Sequence, residues 1–175
     1  GVVAILETIR ALKTGPPLRN DVLVLLTDGE EVGLLGAEAF VAEHRRAHEV
    51  GLVLNFEARG SCGPSLMFET SLENGRLIAD LARVAPFPAA SSLMFEAYRR
   101  LPNDTDVTIF KRTGMAALNF AFSEGHTEYH MALDRPEVLD EGSLQHHGSY
   151  ALALARHFGN ADLTNLRAPD RVYFD

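Results

Sequence analysis

At 175 residues, with 46% hydrophobic and 23% charged residues, the chain fits one globular domain of ordinary size with a real core. A formal net charge of -8 and a pI near 5.3 make its surface repel phosphate backbones, which argues against nucleic acid as a partner. The single cysteine, Cys62, excludes an internal disulfide, and no apolar run approaches the roughly 20 residues that span a bilayer.

The first residues, GVVAILETIRALKTG, open directly into a helical pattern, without Met or a signal peptide, so the chain reads as a piece cut inside a domain. Val2, Ile5, Leu6, Ile9 and Leu12 form one apolar helix face that stops near Gly15 and Pro16. DVLVLLTD (21–28) is a continuous apolar run bounded by turn residues, which predicts a strand buried on both faces. Residues 33–46 return to helical spacing through Leu34, Ala37 and Val41. VGLVLNFEA (50–58) is a second buried strand and SLMFET (65–70) a shorter one. Residues 73–85 predict a helix, and APFPAASS a surface loop. Asn103 or Asp104 is placed to cap a helix running to about Lys111. MAALNFAF (115–122) is a further strand. Asp140 is placed to cap a last helix, closed by Gly159. The tail from 161 has no period. Alternating helices and buried strands predict an α/β domain, a three-layer α-β-α sandwich with a mostly parallel or mixed central sheet, incomplete at its N-terminal side.

Ligand sites in such sheets lie at the carboxyl ends of strands. The first strand run ends in Asp28, Glu30 and Glu31; the second carries Asn55 and Glu57; the third leads into SEGHTEYHMALD, with Glu124, His126, Glu128, Tyr129, His130 and Asp134. The adjacent pair Glu30-Glu31 suits hydrolysis, because one carboxylate can bind a metal while its neighbour faces the activated water. The plain alternative is a pair of solvated loop acids.

DGEEVGLLGAEAF resembles the motif of the cocatalytic dizinc exopeptidases, which include bacterial leucyl aminopeptidases, aminopeptidase Y, glutamate carboxypeptidase II and the endoplasmic reticulum metallopeptidases. NFEARG is similar to the strand end of that family, and Glu in place of the commoner Asp is similar to the endoplasmic reticulum branch. EYHMALD resembles its YHxxxD segment, and NDTDVTIFKRTGMAALNFAF the stretch before it. The resemblance covers about residues 1–160, leaving 161–175 as a tail similar to relatives in which membrane spans follow the peptidase domain. It implies Glu30 as general base, Glu31 and Glu57 as ligands of one zinc, and His130 as a ligand of the other. Asp28, Arg59, Asp104, His126 and Asp134 are the further candidates for supporting these groups or meeting substrate; Asp106 is weighed between lining the site and capping. His146 and His147 are expected at the surface, and Cys62 without a catalytic role.

The resemblance also implies two zinc ions, a peptide substrate, an extracytoplasmic location and membrane attachment through regions outside this chain. The family's remaining ligands, a His and a bridging Asp, would lie upstream of Gly1, so the chain alone is expected to bind zinc poorly and to be inactive. The expected activity of the longer protein is aminopeptidase-type hydrolysis. The rivals are glutaminyl cyclisation on a related fold and a catalytically silent binding module.

Overall fold

Runs of aliphatic and aromatic residues without a helical period pair as strands. In the computed structural model, which describes residues 1–174, these are β1 (Leu52–Ala58), β2 (Leu66–Thr70) and β3 (Ala116–Phe122). They form one mixed sheet in the order β1-β3-β2. β1 and β3 are parallel, in register from Leu52 opposite Ala116 to Ala58 opposite Phe122. β2 is antiparallel to β3, with an irregularity between Met67 and Glu69. β3 is therefore central, and every residue from Ala117 to Phe122 is buried.

Alternate side chains of β1 serve opposite faces. Leu52, Leu54 and Phe56 join the larger core, where Leu77 and Leu81 of α3 (Gly75–Val84) and Tyr150 and Leu154 of α6 (Glu141–Phe158) meet Phe120. Val53 faces a smaller cluster built from Ala37 and Phe40 of α2 (Leu35–Glu43) and Ile109 and Phe110 of α5 (Asp106–Arg112). Helices thus cover both faces of the sheet, as the alternation of elements predicts. α1 (Val2–Lys13) packs along α6, and α4 (Ser92–Tyr98) lies against β2. The tail folds back: Leu166 is buried in the larger core, and the Tyr173 carbonyl accepts from the Ser92 amide at 2.8 Å.

Several expectations need correction. Residues 21–28 form no strand. They have no ladder partner, and Val22, Leu23, Val24 and Leu26 are exposed. A strand exists only through its neighbours, and none is hydrogen-bonded here. α2 is shorter than predicted, because His44 leaves helical geometry and stacks on Phe40. α5 is capped by neither Asn103 nor Asp104; Thr105 holds the N-cap position without a side-chain bond. Gly159 ends α6 in right-handed rather than left-handed geometry. Its smallness matters instead for packing, since an added Cβ would lie 2.5 Å from the Ala155 carbonyl oxygen and 2.7 Å from Leu18. His147 is fully buried, not at the surface. A long helix turns one side chain of any adjacent pair inward, and here the inward one is His147.

Candidate active site at the carboxyl edge of the sheet

Two loops and the end of β1 approach one another at the carboxyl edge of the sheet. The first, residues 28–34, turns back on the start of α2. Asp28 Oδ1 accepts from the Gly29 amide at 2.8 Å, and the Glu30 carbonyl accepts from the amides of Gly33 and Leu34 at 3.1 and 2.9 Å. The Gly36 amide reaches the Asp28 carbonyl at 2.9 Å, and a Cβ on Gly36 would lie 2.7 Å from that same oxygen. Only glycine lets the helix start this close to the loop. The turn leaves Glu30 half-buried and Glu31 exposed.

The second element is the end of β1. Glu57 Oε1 accepts from Asn55 Nδ2 at 2.9 Å, and the same amide donates to Asn119 Oδ1 across the sheet at 2.9 Å. Asn119 Nδ2 in turn donates to Glu69 Oε2 at 2.9 Å, and Lys111 Nζ donates to Glu69 Oε1 at 2.7 Å. This polar chain runs from α5 through β2 and β3 to Glu57. Its buried members, Glu69 and Asn119, are each satisfied, which fixes the Glu57 carboxylate in one orientation.

The third is the loop after β3. The amides of Ser61 and Cys62 donate to the Glu124 carbonyl at 3.0 and 3.2 Å, and the Glu124 amide donates to the Cys62 carbonyl at 2.9 Å. A side chain on Gly60 would overlap the Glu124 carbonyl, so the two loops meet only because that position is glycine. The loop then reaches His130, whose φ of 57° is rare for a residue with a side chain. Its ring stacks on Tyr129 with centroids 3.9 Å apart, and its Nε2 lies 2.7 Å from Glu31 Oε1.

Partial burial pushes the Glu30 carboxyl above its ordinary range; the charges of Glu31, Glu57 and Asp106 push the same way, and His130 opposes them. Burial and the charge of Glu31 likewise raise the Tyr129 phenol. Glu30 thus lies within electrostatic reach of Glu31, Glu57, Asp106 and His130, with negative charge in excess around it. The supporting candidates divide. Asp28 orients its own turn. Arg59 faces Asn103, whose amide oxygen, turned toward the guanidinium, accepts at 2.8 and 3.1 Å. Asp104 is exposed and accepts from Thr108 within α5 at 2.9 Å. His126 and Asp134 are exposed, and the partner of the His130 ring nitrogen is Glu31 rather than Asp134. Sequence reasoning passed over Thr27, Glu69 and Asn119 and left Asp106 undecided. Asp106 is 5% exposed and accepts a short hydrogen bond from the Thr27 hydroxyl. A polar residue in the middle of an apolar strand, as Asn119 is, was the available signal for the network.

The carboxylate and imidazole donors suit a divalent transition metal. Among the described residues, however, no group of three or more His, Cys, Asp or Glu side chains is close enough to hold an ion. Glu31 and His130 meet, and Glu57 stands apart on its own strand. The donor chemistry fits a metal, and the cage is incomplete within this chain.

The profile of peptidase family M28 matches residues 1–155. The chain belongs to that family. Endoplasmic reticulum metallopeptidase 1 of Homo sapiens is 29% identical over 178 residues, covering 97% of this chain and 20% of the relative. The vacuolar membrane protease of Lachancea thermotolerans is 32% identical over 180 residues, covering 100% and 18%. That of Yarrowia lipolytica is 30% identical over 147 residues, covering 83% and 14%. The chain therefore spans about a fifth or less of the length of these curated relatives. Their names agree with the endoplasmic reticulum metallopeptidase-like branch of M28. Among the described residues, no helix is long and apolar enough to cross a membrane.

Proposed function

We propose that the longer protein carrying this M28 segment is a zinc-dependent peptidase acting at a chain terminus, with aminopeptidase activity as the first specificity. The observation that carries this reading is the meeting of Glu31 and His130 at 2.7 Å from two loops 99 positions apart in sequence, beside the half-buried Glu30. Glu31, Glu57 and His130 would hold metal, together with ligands from outside this chain. A zinc site of this kind supplies a water acidic enough to attack near neutral pH and polarises the scissile carbonyl.

Glu30 is the general base. Its raised proton affinity suits a group that takes a proton from the attacking water as the new C–O bond forms and delivers it to the amine as the C–N bond breaks. The chain from Lys111 to Glu57 keeps one ligand carboxylate oriented. Asp28 holds the turn that presents Glu30, and the Arg59–Asn103 pair stands ready to meet a substrate carbonyl or carboxylate. By itself the 175-residue chain is expected to be inactive. The names of the relatives support an extracytoplasmic, membrane-attached setting.

The test is a Glu30→Gln substitution in the longer protein, with zinc content and hydrolysis of peptides bearing a free N-terminus read together. Activity should fall by about 10²–10⁴-fold while zinc is retained, the range that removal of a general base produces. Full activity in the variant would remove Glu30 from the mechanism. An unsubstituted protein that holds no zinc and cleaves nothing would leave a binding module. Turnover confined to N-terminal Gln peptides would mark a cyclase.

A further inference from the structure

Arg59 follows β1 directly. Its amide donates to the Phe122 carbonyl at 3.0 Å, so the pairing with β3 runs on past Ala58. Alternate side chains of an extended segment share a face, which puts Arg59 on the side of the sheet that carries Asn55 and Glu57. The bond from Asn55 to Glu57 at 2.9 Å marks that side. A candidate metal ligand and a guanidinium thus leave the carboxyl edge of β1 together.

The guanidinium is held by a neutral group. Both of its terminal nitrogens donate to the Asn103 amide oxygen, at 2.8 and 3.1 Å. Arginine carries five N–H donors in a planar fork, and the others on Arg59 have no partner among the described residues. Lys111, by contrast, is already bound to a carboxylate, Glu69, at 2.7 Å. An amide holder fixes the plane of the fork and leaves its charge uncancelled. That is the state in which a guanidinium accepts a carboxylate through two parallel N–H···O bonds.

Tyr129 relates this cation to the reacting groups. Its phenol feels the charges of Glu31, Arg59, Glu30 and Glu57 together, and its ring stacks on His130 with centroids 3.9 Å apart. Arg59 is therefore within reach of the ring that covers His130. The acids favour the free amine of a substrate, and the one uncancelled cation beside them favours an anion. A peptide presents both charges to one site only when it is short. One residue beyond the scissile bond, the carboxylate carbon lies about 4 Å from the scissile carbonyl carbon, and each further residue adds up to roughly 3.5 Å.

We infer that Arg59, oriented by Asn103, is a specificity-determining residue that takes the C-terminal carboxylate of a short zwitterionic peptide, a di- or tripeptide. The inference rests on the peptidase reading above for the reaction, and on the partners of Arg59 for the anion.

The test compares leucyl-leucine with leucyl-leucinamide on the longer protein. The acid should be hydrolysed with a kcat/KM roughly 10–100-fold above that of the amide, the value of one charge-assisted pair. In Arg59→Gln the ratio should fall to about one, through a higher KM for the acid, and Arg59→Lys should lie between. The ratio is taken within each preparation, so it does not depend on how much of a variant folds. Calorimetric titration of the same two compounds into the Glu30→Gln protein, with and without Arg59→Gln, reads the preference without turnover. A ratio near one in the unsubstituted protein, or an undiminished ratio in Arg59→Gln, overturns the inference and leaves Arg59 as a pin for the segment before α5. Tighter binding of the acid that depends on Arg59, with neither compound cleaved by the unsubstituted protein, would end the peptidase reading and keep the carboxylate site. Cleavage of both at equal efficiency would do the reverse, and a protein that neither binds nor cleaves either compound would end both.

Discussion

His147 shows how a single side chain is redefined by packing. Its ring meets the edges or faces of Phe56 and Phe122, with centroids 5.0 and 5.4 Å away, and its Nδ1 lies 2.8 Å from the Ser65 hydroxyl. Burial, reinforced by the amino terminus and His146, pushes its pKa down to about 3. In the unfolded chain the same group titrates near 6.5. Between those values the unfolded state binds a proton that the folded state refuses, so stability rises with pH. The contribution is complete above about pH 6.5 and is lost progressively as pH falls toward 3. By pH 4.5 the loss should approach about 2–3 kcal/mol, at 1.36 kcal/mol per pKa unit. A urea midpoint that drops between pH 7 and 4.5, and drops less in His147→Gln, is the expected result. Equal pH dependence in both proteins would remove His147 as the cause. Adjacent His146 and His147 looked alike in the sequence, and only the docking of α6 on the sheet separated them.

At the scale of elements, local rules worked where a segment carries its own partners. α6 was legible from Asp140, whose Oδ1 accepts from the Ser143 amide at 2.7 Å and satisfies one of the unpaired donors of the first turn. Asp140→Ala should lower the stability of the chain and Asp140→Asn should lower it much less, measured by chemical unfolding of the same chain. The three strands of the sheet were legible because long apolar runs without helical spacing have few other stable arrangements. Residues 21–28 carry the same signal yet form no strand, because pairing depends on what lies alongside. The missed pieces are α4, a helix of seven residues with little room for periodicity, and the cap of α5, where three adjacent polar residues competed for one position.

Over the whole molecule, acidity governs behaviour in solution. A net charge of -8 keeps molecules apart at neutral pH and vanishes near pH 5.3. With Val22, Val24 and Leu26 exposed close together in sequence, loss of repulsion should favour association. Light scattering of the 175-residue chain should therefore rise as pH is lowered from 7.5 to 5.3, and should fall again on further acidification if the chain remains folded.

Of the candidate site, the meeting of Glu31 with His130 is the part of the expected set that the structure joins by a direct contact, and motif order and the carboxyl-edge rule point to it because both depend on local sequence and chain direction. By itself the sequence determined the α/β class, the positions of three strands and most helices, and the acids and histidine beside them. Tertiary structure decided the rest: which of two histidines is buried, that Glu31 rather than Asp134 meets His130, and that Asp106 rather than Asp104 turns inward. It also decided that Asn119, Glu69 and Lys111 support Glu57 from across the sheet. Those outcomes depend on contacts between residues tens of positions apart, formed only when the helices close over the sheet. No local pattern encodes the distance between such residues, whereas turn chemistry and hydrophobic period are written in neighbouring residues.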